Sequence, residues 1–317
     1  MLYGALVVLP AEFVQTKLAE GPETTNWLTA LPGLVEELLS RWNCEPDGAV
    51  MHGQVAIVVP VKHSEHGSCV LKVSFPHPRN VHEPDAYGAW SGRGAVMLHE
   101  RDDERFALLL ERASTSTLLD ETTDSDQAFR AAGSLSRRLA ITAPPGMPPL
   151  ADEAENWETE MRADAVLAPH HLSRRAIDAA LATVRDLGRV QPNLMVHGDF
   201  HATNILRADR EPWLAIDPKG YAGDPAYDVR MVVAWRPLRS LRASELRTAL
   251  HRGLDIFAEA AGLDPLRVRR WAQFQAVKAA LGGRRSGFRT PGHKSRADYI
   301  TEFTERAAEP LTEMLGS

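Results

Sequence analysis

The chain has 317 residues, a formal net charge of −6, 44% hydrophobic and 25% charged residues. This balance excludes a nucleic-acid binder that works through a basic footprint, and no run approaches the roughly 18 apolar residues of a membrane span. Cys44 and Cys69 make neither a disulfide framework nor a thiolate metal site, and they suit a reducing, cytoplasmic setting.

The apolar start, Met1 to Leu9, lacks a basic leading region and runs into Pro10-Ala-Glu12. It reads as a terminal strand or docking segment rather than an export signal. Residues 27–42 repeat apolar side chains at helical spacing. Two β-branched runs follow, 55–61 and 69–75, separated by the polar Lys62–Ser68, a pattern that predicts a hairpin. A helix is expected from His82 to Trp90, then strands over 95–98 and 105–110. The first third is thus a small antiparallel sheet with one helix inserted.

Beyond Ala113 the pattern turns helical, with segments at 127–139, 151–167 and 173–189. The proline-rich stretch 143–149 reads as a stiff connector, because proline restricts φ. A β-like island spans about 194–222, before further helices that Gly282-Gly283 is expected to break. Strands followed by helix-rich sequence predict an α+β chain of two unequal lobes, divided at 1–112 and 113–317.

The island carries the chemistry. It reads Val196-His-Gly-Asp199-Phe-His-Ala-Thr-Asn204, then Trp213-Leu-Ala-Ile-Asp217-Pro-Lys219. A strand ending at His197 and a tight turn put Asp199 at a mouth; a returning strand brings Asp217 beside Asn204. Each residue alone is a common turn former. Together they offer two carboxylates and an amide oxygen, which suits magnesium with its few protein oxygens and phosphoryl transfer with its orienting carboxylate.

In these stretches, together with Val70-Leu-Lys-Val-Ser-Phe75, Leu108-Leu-Leu-Glu-Arg112 and Gly223-Asp-Pro-Ala-Tyr-Asp228, the chain resembles the aminoglycoside phosphotransferase-like kinases. Within them it is most similar to the streptomycin 6-phosphotransferase and hydroxyurea phosphotransferase group, over about residues 27–290. The resemblance implies a bilobal protein-kinase-like fold, with a nucleotide-binding N-lobe and a catalytic, substrate-binding C-lobe. It implies ATP or GTP with Mg2+ as cofactors and a small-molecule acceptor as partner. Asp199 matches the catalytic carboxylate, Asn204 and Asp217 the magnesium ligands, and Lys72 the lysine that meets the nucleotide phosphates. Glu83 is favoured as the acidic partner of Lys72, with Asp85 as competitor. Leu109, Glu111 and Ala113 match the lobe connector where backbone groups bind adenine. The glycine-rich phosphate loop of protein kinases is absent, as is any Walker A pattern.

The acceptor is read from less specific signals. The acidic stretch 151–164 surrounds Trp157, which would stack under a guanidinium, and Asp224 is a further substrate candidate. Asp228 would either brace the metal loop or touch substrate. Against a cationic acceptor stands a basic stretch: Arg267, Arg269, Arg270, Lys278, Arg284, Arg285, Arg289, Lys294 and Arg296. The expected activity is an ATP-dependent O-phosphotransferase that inactivates a small hydroxylated antibiotic, a streptomycin-like aminoglycoside first and hydroxyurea second. A metabolic kinase for an amino alcohol or sugar and a non-catalytic kinase-like binding module are the alternatives.

Overall fold

The computed structural model describes residues 8–167, 172–286 and 296–316. The apolar start falls almost wholly outside them. The chain divides into two compact units, Met1–Ala113 and Ser114–Ser317.

Unit one opens with α1 (Ala11–Leu18) and α2 (Pro22–Arg41), followed by β1 (Cys44–Pro46), β2 (Met51–His52), β3 (Ala56–His63) and β4 (Gly67–Ser74). Then come α3 (Glu83–Trp90), β5 (Leu98–Asp102) and β6 (Ala107–Glu111). The antiparallel sheet has the order β1-β3-β4-β6-β5, with β2 paired to β3. Leu28, Leu31, Val35, Leu38 and Leu39 of α2 pack on Ile57, Val59, Val61, Cys69, Leu71 and Val73 of the sheet. Each such side chain is worth about 1.5–3 kcal/mol when buried. Because strand side chains alternate in direction, the residues that fill this core leave Lys72 on the opposite face.

Two predicted boundaries move. The fifth strand starts at Leu98 rather than Ala95. Arg105 and Phe106 belong to a turn instead of the sixth strand: Asp102 Oδ1 accepts the Arg105 N–H and Phe106 has φ +52°. The elements α1, β1 and β2 had no periodic signal long enough to announce them.

Unit two begins with α4 (Leu118–Glu121), α5 (Ser125–Leu139), α6 (Ala154–Leu167) and α7 (Arg174–Thr183). Asp124 caps α5 by accepting the Asp126 and Gln127 N–H groups. The island supplies four short strands, β7 (Leu194–Val196), β8 (Ile205–Arg207), β9 (Trp213–Ala215) and β10 (Tyr221–Gly223). They form two antiparallel pairs, β7 with β10 and β8 with β9. The chain finishes with α8 (Arg230–Val233), α9 (Ala243–Ala261), α10 (Pro265–Ser286) and α11 (Arg296–Glu313).

The expected break at Gly282-Gly283 does not occur, since α10 runs through both residues. A Cβ on Gly283 would collide with the Thr301 side chain of α11. Glycine here serves close helix packing, which outweighs its poor helix propensity of about 1 kcal/mol.

Candidate active site

In unit one, Lys72 projects from the face opposite the α2 core. Helix α3 starts at Glu83 with Pro84 in its first turn, where the missing N–H is harmless. Lys72 Nζ lies 2.5 Å from Glu83 Oε1, and both side chains are buried, 8% and 4% exposed. Asp85, the competitor, instead bonds His82 and Arg101.

In unit two, His197 organises the island. Its buried ring bonds the Ile216 carbonyl through Nε2 at 2.9 Å, and its Nδ1 accepts the Asp199 N–H at 3.3 Å. Burial lowers its pKa to about 4, so the ring is neutral near pH 7. The His197 carbonyl accepts N–H groups of Lys219 and Gly220, and Ile216 N donates to the Asn204 carbonyl at 2.9 Å. Asp217, between these ties, adopts left-handed backbone at φ +57°, uncommon strain of the kind that gathers at functional sites. Gly198 has φ +82°, and a Cβ there would sit 2.8 Å from the Tyr221 ring. Only glycine fits that turn.

Asp228 braces the loop from behind. Its oxygens accept the N–H groups of His197 and Gly198 at 2.8 and 2.9 Å. Burial pushes its pKa up to about 7, with those two N–H bonds pulling the other way. This settles its role as a brace.

Asp199 Oδ1 receives Arg230 NH1 at 2.7 Å, and His201 Nε2 stands 3.7 Å from Oδ2, beyond hydrogen-bond length. Burial acts to raise the Asp199 carboxyl, but His201, Arg230 and His197 outweigh it and hold it well below the usual range. Asn204 donates its amide nitrogen to the Asp199 carbonyl at 3.1 Å, which fixes the side chain and leaves the amide oxygen outside that bond. Arg230 escaped the sequence reading because it lies 31 residues from Asp199 and belongs to no spaced motif.

Several predicted roles change. Leu109 is fully buried in the α2 core, and its strand is flanked by β4 and β5, so its backbone is committed to the sheet and cannot bind adenine. Sheet-type bonds continue through Glu111 N to Met97 O and Arg112 N to Ser68 O, and Ala113 lies beyond the end of the strand. The Glu111 carboxylate accepts the Met97 N–H at 3.0 Å. Trp157 is 2% exposed. It stacks on Tyr227 at 5.4 Å, meets Trp271 and Phe274, and has the Lys278 ammonium 5.2 Å from its centroid. No face remains for a ligand guanidinium, so Trp157 is a core residue. Asp224 is equally internal, 1% exposed, with Arg267 Nε and Trp271 Nε1 both donating to its Oδ2.

Five cations of the basic stretch meet carboxylates of their own unit. Arg267 pairs with Asp224, Arg269 with Asp255, Arg270 with Asp186, Lys278 with Glu160 and Arg284 with Glu305. Arg289, Lys294 and the side chains of Arg285 and Arg296 lie outside the described residues. Those five therefore give no argument against a cationic acceptor.

The Asp217 carboxylate and the Asn204 amide oxygen are hard oxygens of the kind magnesium takes together with water and phosphate. An aspartate poised beyond a glycine turn, an oriented amide and a strained second aspartate, with a buried lysine–glutamate pair in the other unit, define a phosphotransferase of the protein-kinase-like class. The sequence comparisons place it further. Residues 41–287 match the family model for aminoglycoside/hydroxyurea antibiotic resistance kinases, and the chain belongs to that family. It is 35% identical to streptomycin 6-kinase of Streptomyces glaucescens, covering 83% of this chain and 86% of the relative. It is 32% identical to hydroxyurea phosphotransferase of Kitasatospora aureofaciens, covering 88% and 81%. Among solved structures, aminoglycoside phosphotransferase APH(4)-Ia in complex with ADP and hygromycin B aligns with a TM-score of 0.57 at 15% identity, over 89% of this chain and 99% of that one. Plasmodium vivax ethanolamine kinase aligns at 0.55 and 10%, over 84% and 82%. These two likenesses concern the fold alone. No helix among the described residues is long and apolar enough to cross a membrane.

Proposed function

We propose that this kinase transfers the γ-phosphoryl group of ATP or GTP to a hydroxyl of a streptomycin-like aminoglycoside. The nucleotide would be held by unit one and the acceptor by unit two. The observation that carries the chemistry is the loop around His197, which ties Asp199, Asn204 and Asp217 together through backbone bonds. Asp199, kept ionised by Arg230, orients the acceptor hydroxyl and takes its proton. Asn204 and Asp217 would hold magnesium, whose charge offsets that of the β- and γ-phosphates. Lys72, fixed by Glu83, neutralises the α- and β-phosphates. Such catalysis is positioning and charge stabilisation.

The acceptor class is supported by the streptomycin 6-kinases of Streptomyces glaucescens and Streptomyces griseus, at 35% and 32% identity. It is also supported by the internal pairing of Arg267, Arg269, Arg270, Lys278 and Arg284 with carboxylates. Hydroxyurea is the second reading, resting on the 32% identical phosphotransferase. An ADP-release assay decides between them: streptomycin, other aminoglycosides, hydroxyurea, choline and simple sugars, with a no-acceptor control. Streptomycin-dependent ADP and a product heavier by one phosphoryl group are expected. The Asp199→Asn variant should bind nucleotide normally and lose at least about a hundredfold in turnover. Full turnover in that variant would sink the assignment.

A further inference from the structure

Unit one contains a cavity of about 290 Å³ that reaches the outer side of the Lys72–Glu83 pair. It opens between the start of α3 and the turn from β5 to β6. Val81, Pro84, Phe106 and Leu108 give it apolar walls, and Val81 is 46% exposed. Asp85 and Asp103 also line it, and a single guanidinium, Arg101, serves both, at 3.0 and 2.6 Å. The remaining lining carboxylates are answered separately, Glu83 by Lys72 and Asp102 by Arg41 and Arg105. Asp85 and Asp103 therefore share one guanidinium, with the His82 ring 3.1 Å from Asp85 on its other side. The cavity thus joins apolar walls to two carboxylates that share a single guanidinium, and its wall includes the glutamate that holds Lys72.

We propose that this cavity binds a small organic cation with an apolar body, and that the occupant favours the Lys72–Glu83 pairing. The body lies against Phe106, Val81 and Pro84, and the ammonium or amidinium head joins Asp85 and Asp103. The cavity exists in the conformation in which Glu83 already meets Lys72. A ligand that binds this conformation draws the population toward it, and a nucleotide that needs Lys72 in place binds the same population. The two ligands must then tighten each other by the same factor. This coupling rests on the phosphotransfer reading; the binding itself does not.

The test is calorimetry on the full chain with benzamidine as probe and neutral benzamide as its isostere. Benzamidine should bind at least about fivefold tighter than benzamide, the scale of one partly exposed charge pair. Val81→Trp, which fills the cavity from an exposed position, should abolish binding. Asp103→Asn, on the surface, should weaken it about fivefold. Equal affinity for the two probes, or a folded Val81→Trp protein that binds benzamidine unchanged, overturns the site. Magnesium with AMP-PNP should tighten benzamidine about fivefold, and benzamidine should tighten AMP-PNP equally. Benzamidine binding that AMP-PNP leaves unchanged overturns the coupling while the site stands. Failure of AMP-PNP to bind at all counts against the phosphotransfer reading instead.

Discussion

Lys72 and Glu83 allow stability and function to be separated. Their charges lie 2.5 Å apart with at most 8% of either side chain exposed. Replacing Glu83 with Gln leaves a buried ammonium, and replacing Lys72 with Met leaves a buried carboxylate; either loss should cost about 3–5 kcal/mol. The double variant Lys72→Met/Glu83→Gln removes both charges, so it should stand within about 1–2 kcal/mol of the wild type, because a buried ion pair adds little net stability over a neutral pair. The resulting coupling energy, several kcal/mol, lies at or above the upper end for contacting residues. Urea unfolding of the four proteins gives it directly. Activity should follow a different pattern: all three variants should release ADP at least about a hundredfold more slowly, since the neutral pair restores the fold without restoring a cation for the phosphates. Additive losses, with the double variant least stable, would refute the electrostatic account. Recovered activity in the double variant would refute the role given to Lys72.

Asp217→Ala should weaken magnesium-nucleotide binding in calorimetry at least about tenfold while leaving the urea midpoint nearly unchanged; unaltered affinity would remove Asp217 from the metal site. His197 and Asp228 make opposite pH predictions. Folded His197 resists its proton down to about pH 4 while the unfolded chain takes it near 6.5, so on this account stability falls as pH drops through that window. Folded Asp228 keeps its proton up to about pH 7 while the unfolded chain releases it near 3.8, so its contribution grows as pH falls over the same range. Urea titrations should therefore show Asp228→Asn losing stability on acidification from pH 6.5 to 4.5 and His197→Asn gaining it; slopes of one sign in both would refute the pairing. Gly283→Val should destabilise by about 1–3 kcal/mol through overpacking against Thr301, read as a fall in Tm.

The parts of this protein that were legible in sequence are those whose chemistry is local in the chain. The island around His197 announced itself because turn geometry forces a glycine at 198 and a fixed spacing to Asn204. Lys72 stood out as a charge inside an apolar strand, and alternation explains it. What failed to show were partnerships across long separations. Arg230 reaches Asp199, Asp186 meets Arg270 from 84 residues away, and nothing in the composition of either segment forecasts the meeting. The basic stretch and the acidic helix therefore looked like opposing surfaces, although Lys278 and Glu160 neutralise each other between them. Trp157 was misread for a related reason. An aromatic amid acidic residues looks like a ligand platform until the rings that cover it, from positions 227, 271 and 274, are brought in by the fold. Leu109 was misplaced because strand ends are set by hydrogen bonding, which the apolar run does not mark.

The turn from Asp224 to Asp228 is fastened on two sides. Asp228 holds the backbone of His197 and Gly198, and Asp224 takes bonds from Arg267 and Trp271 of α10, while Gln275 of α10 bonds the Tyr227 carbonyl. The loop at His197 is therefore moored, through five residues, to α10. Genetically, α10 is part of the target: codons for Arg267, Trp271 and Gln275 should yield inactive alleles in a selection for lost resistance, even though every residue at the reacting centre is intact.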